Sequence, residues 1–213
     1  MDTFNRKPDT IQPMTLIVAL KSKHGVVLAG DKRNYLQNAT LSYDDNAVKV
    51  VKLNEKTAIG GGGEGYDCKV VIDELVADSA IKNMDVEEVK ELMFTKARVK
   101  QKEWVDKKEN SYLIPFGVVQ APQFCFILVG LTKNNEPRIY TLSNSNLEPR
   151  LIPIEHCEIG ICEVAKYIFS KKCKSNMILE QLAKLASFSI KETGSMSTGV
   201  SPSFDLIKIP ASK

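Results

Sequence analysis

The first third of the chain alternates short apolar runs with polar breaks. Residues 15–21 and 26–31 are rich in β-branched and aliphatic side chains, and a polar stretch that ends in glycine separates them. A second pair of apolar runs spans 47–53 and 57–62, again with a short polar turn between them. Runs of this length, bounded by turn residues, are typical of β-strands. The pattern predicts two antiparallel hairpins at the start of the fold.

Beyond residue 66 the apolar positions recur at helical spacing, and strands return later. The predicted elements, in chain order, are helices over 66–82 and 86–108, strands over 124–131 and 138–142, helices over 161–172 and 176–191, and a strand over 203–209. Asp85 stands immediately before the second helix and is predicted to cap it. Two packed sheets with a helix pair on each outer face would bury this order of elements, whereas one sheet would not. The predicted fold is therefore α/β (α+β), a four-layer α/β/β/α sandwich in which two mainly antiparallel sheets are flanked by helix pairs.

Length and charge limit the domain organisation and the partners. With 213 residues the chain can bury one good core, and two full domains would be crowded. We expect an N-terminal extension or propeptide over residues 1–14 and a single domain over residues 15–213. The net charge of +3 is small, and acidic residues interleave with the lysines of residues 96–109, as on a solvated helix face. The composition predicts no nucleic-acid partner.

Cysteine, histidine and glycine usage argues against metal and cofactor chemistry. The five cysteines form no C-x-x-C pair and there are two histidines, so we expect free thiols in a reducing cytosol and no metal site. The glycine run 60–65 satisfies G-x-G-x-x-G, but the acidic residues about 20 positions further on lie in a predicted helix rather than at a strand end. We therefore predict no dinucleotide and no other cofactor. Residues 1–14 lack the apolar core of a signal peptide, and no apolar run approaches a membrane span, which predicts a cytoplasmic protein with no membrane partner.

Three polar residues lie at the ends of the predicted hairpins. Thr15 begins the first strand, Asp31 ends the second, and Lys49 stands near the start of the third. In an antiparallel pair the start of one strand lies beside the end of the next, so Thr15 and Asp31 become neighbours. A lysine beside the aspartate would stabilise a threonine alkoxide, and a free α-amino group, with a pKa of about 8, could take the hydroxyl proton. Each residue also has an ordinary structural explanation at a strand end, so the spacing alone leaves both interpretations open.

The residues around this trio resemble those of a known family. The stretch TLIVALKSKHGVVLAGDKR, residues 15–33, resembles the opening of a β-type 20S proteasome subunit, in which T-x-x-V precedes G-V-V-L-A-x-D-x-R. The segment KVVKL, residues 49–53, resembles the family's strand with the catalytic lysine. IGGGG, residues 59–63, followed by Asp67, resembles its A-G-x-x-x-D stretch. The resemblance is strongest from residue 15 to about residue 75, and it implies the N-terminal-nucleophile (Ntn) hydrolase superfamily and the same four-layer fold.

The resemblance also implies roles for individual residues. Thr15, Asp31 and Lys49 would be the catalytic residues, with Thr15 as the nucleophile. The amide of Gly63 would hold the oxyanion, and Asn34 and Gly61 would line the pocket for the residue before the cut bond.

The likeness weakens in the C-terminal third. The family carries a serine in a G-S-G stretch and a second motif, D-x-x-S-G, and both steady the nucleophile. Residues 159–162 lack that serine, while residues 195–199 put Thr198 at the serine position and Ser195 at the aspartate position, or Ser197 as the hydroxyl if the register slips by one. Ser197 and Thr198 are therefore candidate catalytic residues, and the missing aspartate keeps a catalytically inactive structural subunit among the alternatives.

The main functional hypothesis is a threonine-type endopeptidase or amidohydrolase that acts on a peptide or protein through an acyl-enzyme on Thr15. One alternative is a transpeptidase that resembles the connectases, proteasome relatives that pass the acyl group to a peptide amine. The other is an inactive structural proteasome-like subunit. Because Thr15 can use its α-amino group only once Met14 is detached, residues 1–14 would be a propeptide, be removed in trans, or reflect a start site at Met14.

We also expect the chain to associate with further copies of itself or with related subunits. The second predicted helix has more apolar surface than one inward stripe uses, from Val86, Met93, Phe94 and Trp104. This predicts a homo-oligomer or a ring with related subunits that associate through the helix faces.

Overall fold

A computed structural model of the chain describes residues 15–35, 43–63, 65–106, 124–143 and 146–211. The described strands are β1 (Leu16–Ser22), β2 (Gly25–Asp31), β3 (Asn34–Tyr35), β4 (Tyr43–Asp44), β5 (Val50–Lys52), β6 (Thr57–Gly63), β7 (Phe124–Leu131), β8 (Pro137–Ser143), β9 (Asn146–Leu151), β10 (His156–Gly160) and β11 (Phe204–Pro210). The described helices are α1 (Gly65–Ala77), α2 (Val86–Asp106), α3 (Glu163–Lys172) and α4 (Leu179–Met196), with a 3-10 helix over Ser79–Asn83. The predicted extension over residues 1–14 lies outside the described residues.

Two antiparallel sheets make up the centre of the fold. The first has the strand order β10-β1-β2-β11 and the second has the order β5-β6-β7-β8-β9, while β3 and β4 form a separate small hairpin. The β1–β2 and β5–β6 hairpins are the two that the apolar runs predict, and both pair antiparallel. The first sheet is therefore assembled from both ends of the described chain, since β11 pairs with β2 and β10 pairs with β1.

Alternation of side chains along the strands creates three apolar layers. Residues of β1, β2, β7 and β8 such as Ile17, Leu28 and Ile127 fill the layer between the two sheets. The opposite face of the first sheet packs against α3 and α4, where Phe169 is buried. The opposite face of the second sheet packs against α1 and α2, where Leu75 is buried. The predicted four-layer α/β/β/α sandwich is confirmed.

The start of α2 follows from a capping box. The Oδ1 atom of Asp85 accepts hydrogen bonds from the amides of Glu87 and Glu88, both at 3.0 Å, and the Glu88 side chain accepts the Asp85 amide at 3.0 Å. Two amide donors at the helix start and the cap's own amide are thereby satisfied. The prediction that Asp85 caps this helix is confirmed.

The apolar surface of α2 differs from the prediction. Val86 and Met93 are fully buried in the layer between the helices and the second sheet, and Phe94 packs against that layer. The side chain of Trp104 lies outside the described residues. The inward face of α2 is wide because it contacts α1 as well as β7, β8 and β9. Val86 and Met93 therefore do not offer a partner surface, and the prediction was wrong for these two residues.

None of the helices in the described ranges is long and apolar enough to cross a membrane.

Candidate active site

Thr15 lies immediately before β1 and is almost completely buried, with 6% of its surface exposed. Its Oγ1 donates a hydrogen bond to Oδ1 of Asp31, at 3.3 Å. The antiparallel pairing of β1 with β2 produces this contact, because it brings the end of β2 beside the start of β1. The predicted approach of Thr15 and Asp31 is observed.

Asp31 has no exposed surface, and both of its carboxylate oxygens accept several hydrogen bonds. In addition to the Thr15 hydroxyl, Oδ1 accepts the Leu16 amide at 2.7 Å and Nζ of Lys49 at 2.8 Å. Oδ2 accepts the amides of Arg33 at 2.9 Å and Ser201 at 3.2 Å. A buried carboxylate needs such donors in place of water. Asp31 therefore joins the start of β1, the lysine and the C-terminal segment at one point.

Lys49 lies directly before β5, and the second sheet holds its backbone. Its carbonyl accepts the Gly61 amide of β6 at 3.0 Å, and 11% of its side chain is exposed. Burial lowers the pKa of the Lys49 ammonium below its usual value, while the negative charges of Asp31 and Asp45 oppose that shift. Lys49 thus brings a cation from the second sheet to a carboxylate of the first.

The backbone of Thr15 is held by the end of β10. The Ile161 amide donates to the Thr15 carbonyl at 2.8 Å. Gly160 pairs with Leu16 and has φ of +94°, a conformation that side chains strongly disfavour. A Cβ atom at Gly160 would also overlap the Thr15 carbonyl oxygen. Glycine is therefore required where β10 passes Thr15.

The glycine-rich strand β6 passes the other side of Thr15. A Cβ atom at Gly62 would lie 3.0 Å from Cγ2 of Thr15, so the strand can approach this closely only without a side chain. Gly63 is the next residue and the last of β6, where it pairs with Phe124. Gly61 faces the opposite side of the sheet, since a Cβ atom there would lie 3.2 Å from Cβ of Cys68 in α1. A strand segment without side chains therefore passes directly beside the threonine.

Asn34, the other predicted pocket residue, is the first residue of β3. It pairs with Asp44 in the small β3–β4 hairpin and is exposed. Asn34 comes three residues after Asp31, the last residue of β2.

The hydroxyl residues that the sequence singles out near the end of α4 each have different hydrogen-bond partners. Ser197 is the C-cap of α4, and its hydroxyl accepts the Gly199 amide at 3.2 Å. Thr198 is exposed, and its carbonyl accepts a hydrogen bond from Nη1 of Arg33 at 2.7 Å. Ser195 is exposed in the last turn of α4, and its hydroxyl donates to the carbonyl of Glu192. Thr198 thus enters the site network through its backbone.

Sequence reasoning missed Ser201 and Arg33. Ser201 is fully buried and gives its amide to Asp31, although no motif of the family drew attention to it. Arg33 gives its own amide to the same carboxylate and bonds Asp45 through two side-chain nitrogens. The family stretch around Asp31 includes this arginine, so it could have been recognised, whereas Ser201 carried no signal.

Other nucleophiles and metal ligands are poorly placed. Burial raises the pKa of the Cys125 thiol to about 11, and burial with the nearby Glu158 charge raises that of Cys157 to about 12. Both thiols therefore remain protonated near neutral pH. Within the described ranges, no group of three histidine, cysteine or acidic side chains could hold a metal ion.

Chemically, the arrangement combines a hydroxyl, a buried carboxylate, a cation and a glycine-rich strand. Such a set can lower the cost of forming an alkoxide on Thr15 and can stabilise negative charge that develops beside it. The geometry fits nucleophilic attack on a carbonyl group.

Comparisons with known proteins concern the family and the fold of the chain. A family model described as "Proteasome subunit" matches residues 14–202. Among solved structures, the chain is similar to the Anbu complex from Pseudomonas aeruginosa, which is reported as a helical assembly. The TM-score is 0.74 at 16% sequence identity, and the match covers 91% of this chain and 80% of that chain. It is also similar to Anbu (ancestral beta-subunit) from Yersinia bercovieri, with a TM-score of 0.71, 15% identity and coverage of 92% and 82%. No curated protein sequence matches the chain. At these identities the structural likeness concerns the fold.

Proposed function

This chain belongs to the proteasome subunit family, and from that premise we propose that it is a threonine-type Ntn amidohydrolase or peptidase whose nucleophile is Thr15. The observation that carries the proposal is the convergence of the Thr15 hydroxyl and Nζ of Lys49 on one oxygen of Asp31, at 3.3 and 2.8 Å. Three residues at the ends of different strands meet there in a buried site, where neighbouring groups can activate the hydroxyl.

The first half-reaction forms an ester. Once residues 1–14 are removed, the Thr15 amine takes the hydroxyl proton while Oγ1 bonds to the amide carbon of a peptide. The carbonyl electrons move to oxygen, and the Gly63 amide donates to the resulting oxyanion. The C–N bond then breaks, the leaving amine receives the proton, and an acyl group remains on Oγ1.

The second half-reaction restores the enzyme. Water enters, gives a proton to the Thr15 amine and attacks the ester carbon, after which Oγ1 leaves and regains a proton. Lys49 contributes positive charge beside Oγ1 in both halves, and Asp31 fixes its position. Asn34 is proposed to contact the residue before the cut bond, whereas Gly61 faces Cys68 of α1 and is not given this role.

The mature, active form is expected to begin at Thr15. Incubation with a set of peptide vinyl sulfones that differ in the residue next to the electrophile should add one probe mass to a species that lacks residues 1–14. Because trypsin cleaves after Lys21, the adduct should map to the peptide of residues 15–21. Intact-mass analysis followed by peptide mapping makes the measurement.

Three outcomes separate the rival functions. An active preparation that contains only full-length protein would contradict the assignment of the N-terminus. A mature protein that takes up no probe would favour an inactive structural subunit. If unlabelled mature protein from a preparation that reacts with the probe is given a peptide substrate, and an added peptide amine outcompetes water, the chain is a transpeptidase that uses the same nucleophile.

We also propose that the chain self-associates through the outer face of α3 and α4. Tyr167, Phe188 and Met196 are large apolar residues on these helices, with 68%, 52% and 71% of their surfaces exposed. Large apolar side chains exposed on an outer helical layer favour a protein partner. The helical assembly reported for the Anbu complex from Pseudomonas aeruginosa supports a second copy as that partner.

Light scattering of the mature protein at micromolar concentration should give a mass at least twice that of one mature chain, which lacks residues 1–14 and is therefore lighter than the 23.7 kDa of the full chain. A Phe188→Glu variant should shift this mass toward the monomer. The matched control is Val99→Glu on α2, where the replaced residue is 49% exposed, and it should keep the wild-type mass. A strictly monomeric wild-type protein would contradict the proposed association.

A further inference from the structure

A second carboxylate lies next to the proposed site on a different segment of the chain. Asp45 follows β4, and its two oxygens accept hydrogen bonds from Nε and Nη2 of Arg33, at 2.8 and 2.9 Å. The arginine is 9% exposed, and its guanidinium lies 3.9 Å from the centre of the Tyr43 ring. A two-point bond of this kind fixes both side chains in one orientation.

Arg33 connects this carboxylate to the proposed catalytic one. Its backbone amide donates to Asp31 at 2.9 Å, while its remaining side-chain nitrogen, Nη1, donates to the Thr198 carbonyl at 2.7 Å. The same C-terminal segment supplies the Ser201 amide to Asp31, at 3.2 Å. Movement of Arg33 would therefore disturb Asp31 directly and through this segment.

The charges around Lys49 form a balanced set of four. Asp31 and Asp45 act on Lys49 as negative charges, and Arg33 acts on it as a positive charge. Hydrogen bonding from Arg33, followed by that from the Ser201 hydroxyl and the charge of Lys49, keeps the pKa of Asp45 below its usual value. Asp45 is therefore ionised at neutral pH. Without it, two cations would face one carboxylate.

We infer that Asp45 is a positioning residue for the proposed reaction: its two-point bond holds Arg33, whose amide bonds the Asp31 carboxylate that also binds Lys49. This inference rests on the proposed function. The chain departs from the family pattern at Ser195, which stands where the D-x-x-S-G motif has its aspartate. The Ser195 hydroxyl bonds within α4 and supplies no carboxylate. The inference accounts for this departure. In this chain, a residue after β4 supplies the additional carboxylate.

The test compares Asp45→Asn with Asp45→Glu and with a matched control, Asp205→Asn. The Asp205 side chain is 38% exposed and pairs with Lys32, while that of Asp45 is 35% exposed and pairs with Arg33. Two quantities are measured: the titration midpoint of Lys49, by NMR of protein labelled at the lysine ε-carbon, and the pH profile of labelling by the vinyl sulfone that reacts with the wild type. A Lys49→Arg variant assigns the lysine signal.

Asp45→Asn should lower the Lys49 midpoint by about half to one pH unit, since a nearby negative charge is lost. The alkaline limb of the labelling profile should move to lower pH by the same amount, and the maximal rate should fall about tenfold as Arg33 loses its fixed position. Asp45→Glu should keep the wild-type midpoint because it keeps the charge. Asp205→Asn should change neither quantity.

An unchanged Lys49 midpoint in Asp45→Asn, or an equal shift in Asp45→Glu and Asp45→Asn, would overturn the inference. A wild-type protein that takes up no probe would overturn the proposed function instead, and the NMR titration would still show whether Asp45 controls Lys49.

Discussion

A Thr15→Ala variant is expected to lose covalent labelling by a peptide vinyl sulfone completely, because the atom that forms the bond is absent. Lys49→Ala should label at least roughly 10²-fold more slowly than the wild type, since the cation that stabilises the alkoxide is lost. Both effects are measured as second-order labelling rates of the mature protein by intact-mass spectrometry.

Matched variants separate chemistry from folding in this experiment. Lys52→Ala removes a lysine from β5 whose partner is the exposed Glu55, and Thr95→Ala removes a hydroxyl that bonds within α2. Both should label at the wild-type rate, and circular dichroism should show that all four variants are folded. A Lys49→Ala variant that labels as fast as the wild type would show that the cation has been misassigned.

The second large effect is expected from Gly160→Ala. The new methyl group would overlap the Thr15 carbonyl, and alanine would be strained at φ of +94°. We expect a loss of about 3 kcal/mol or more in the free energy of unfolding, together with a loss of labelling in the protein that still folds. Chemical denaturation measures the first quantity, and the labelling rate below the transition measures the second.

Gly25→Ala is the control for this variant. Gly25 has φ of +133° and a Cβ atom there would overlap the Ile209 carbonyl, so its replacement should also destabilise the fold. It lies at the start of β2, whereas Asp31 ends that strand. Folded Gly25→Ala protein should therefore label normally. Equal labelling by folded Gly160→Ala and Gly25→Ala protein would mean that the end of β10 does not orient the nucleophile.

Local patterning was enough to predict the hairpin that brings Thr15 and Asp31 together, whereas the approach of Lys49 depends on how the second sheet packs on the first. The two hairpins are short in sequence, and the ends of paired strands meet whatever the rest of the chain does. The helix pairs and the Asp85 cap were predictable for the same reason, since helical spacing and capping depend on neighbours three or four positions away.

The strand and the site contacts that the sequence did not predict depend on segments that are distant along the chain. The strand β9 contains Pro149 and charged residues, and it lies at a sheet edge where such residues are tolerated but give little strand signal. The site contacts of Ser201 and Asp45 arise only when the C-terminal segment and the stretch after β4 reach Asp31 and Arg33. The wide inward face of α2, which suggested a partner surface, similarly follows from its contacts with α1 and three strands.

The described bonds that hold Thr15 have one property in common. They run through its carbonyl, its hydroxyl and the following amide of Leu16, and none of them uses the Thr15 nitrogen. Breaking the Met14–Thr15 peptide bond therefore leaves each of them intact. In the cleavage proposed above, these contacts of Thr15 would therefore be in place before residues 1–14 are removed and would not have to form afterwards.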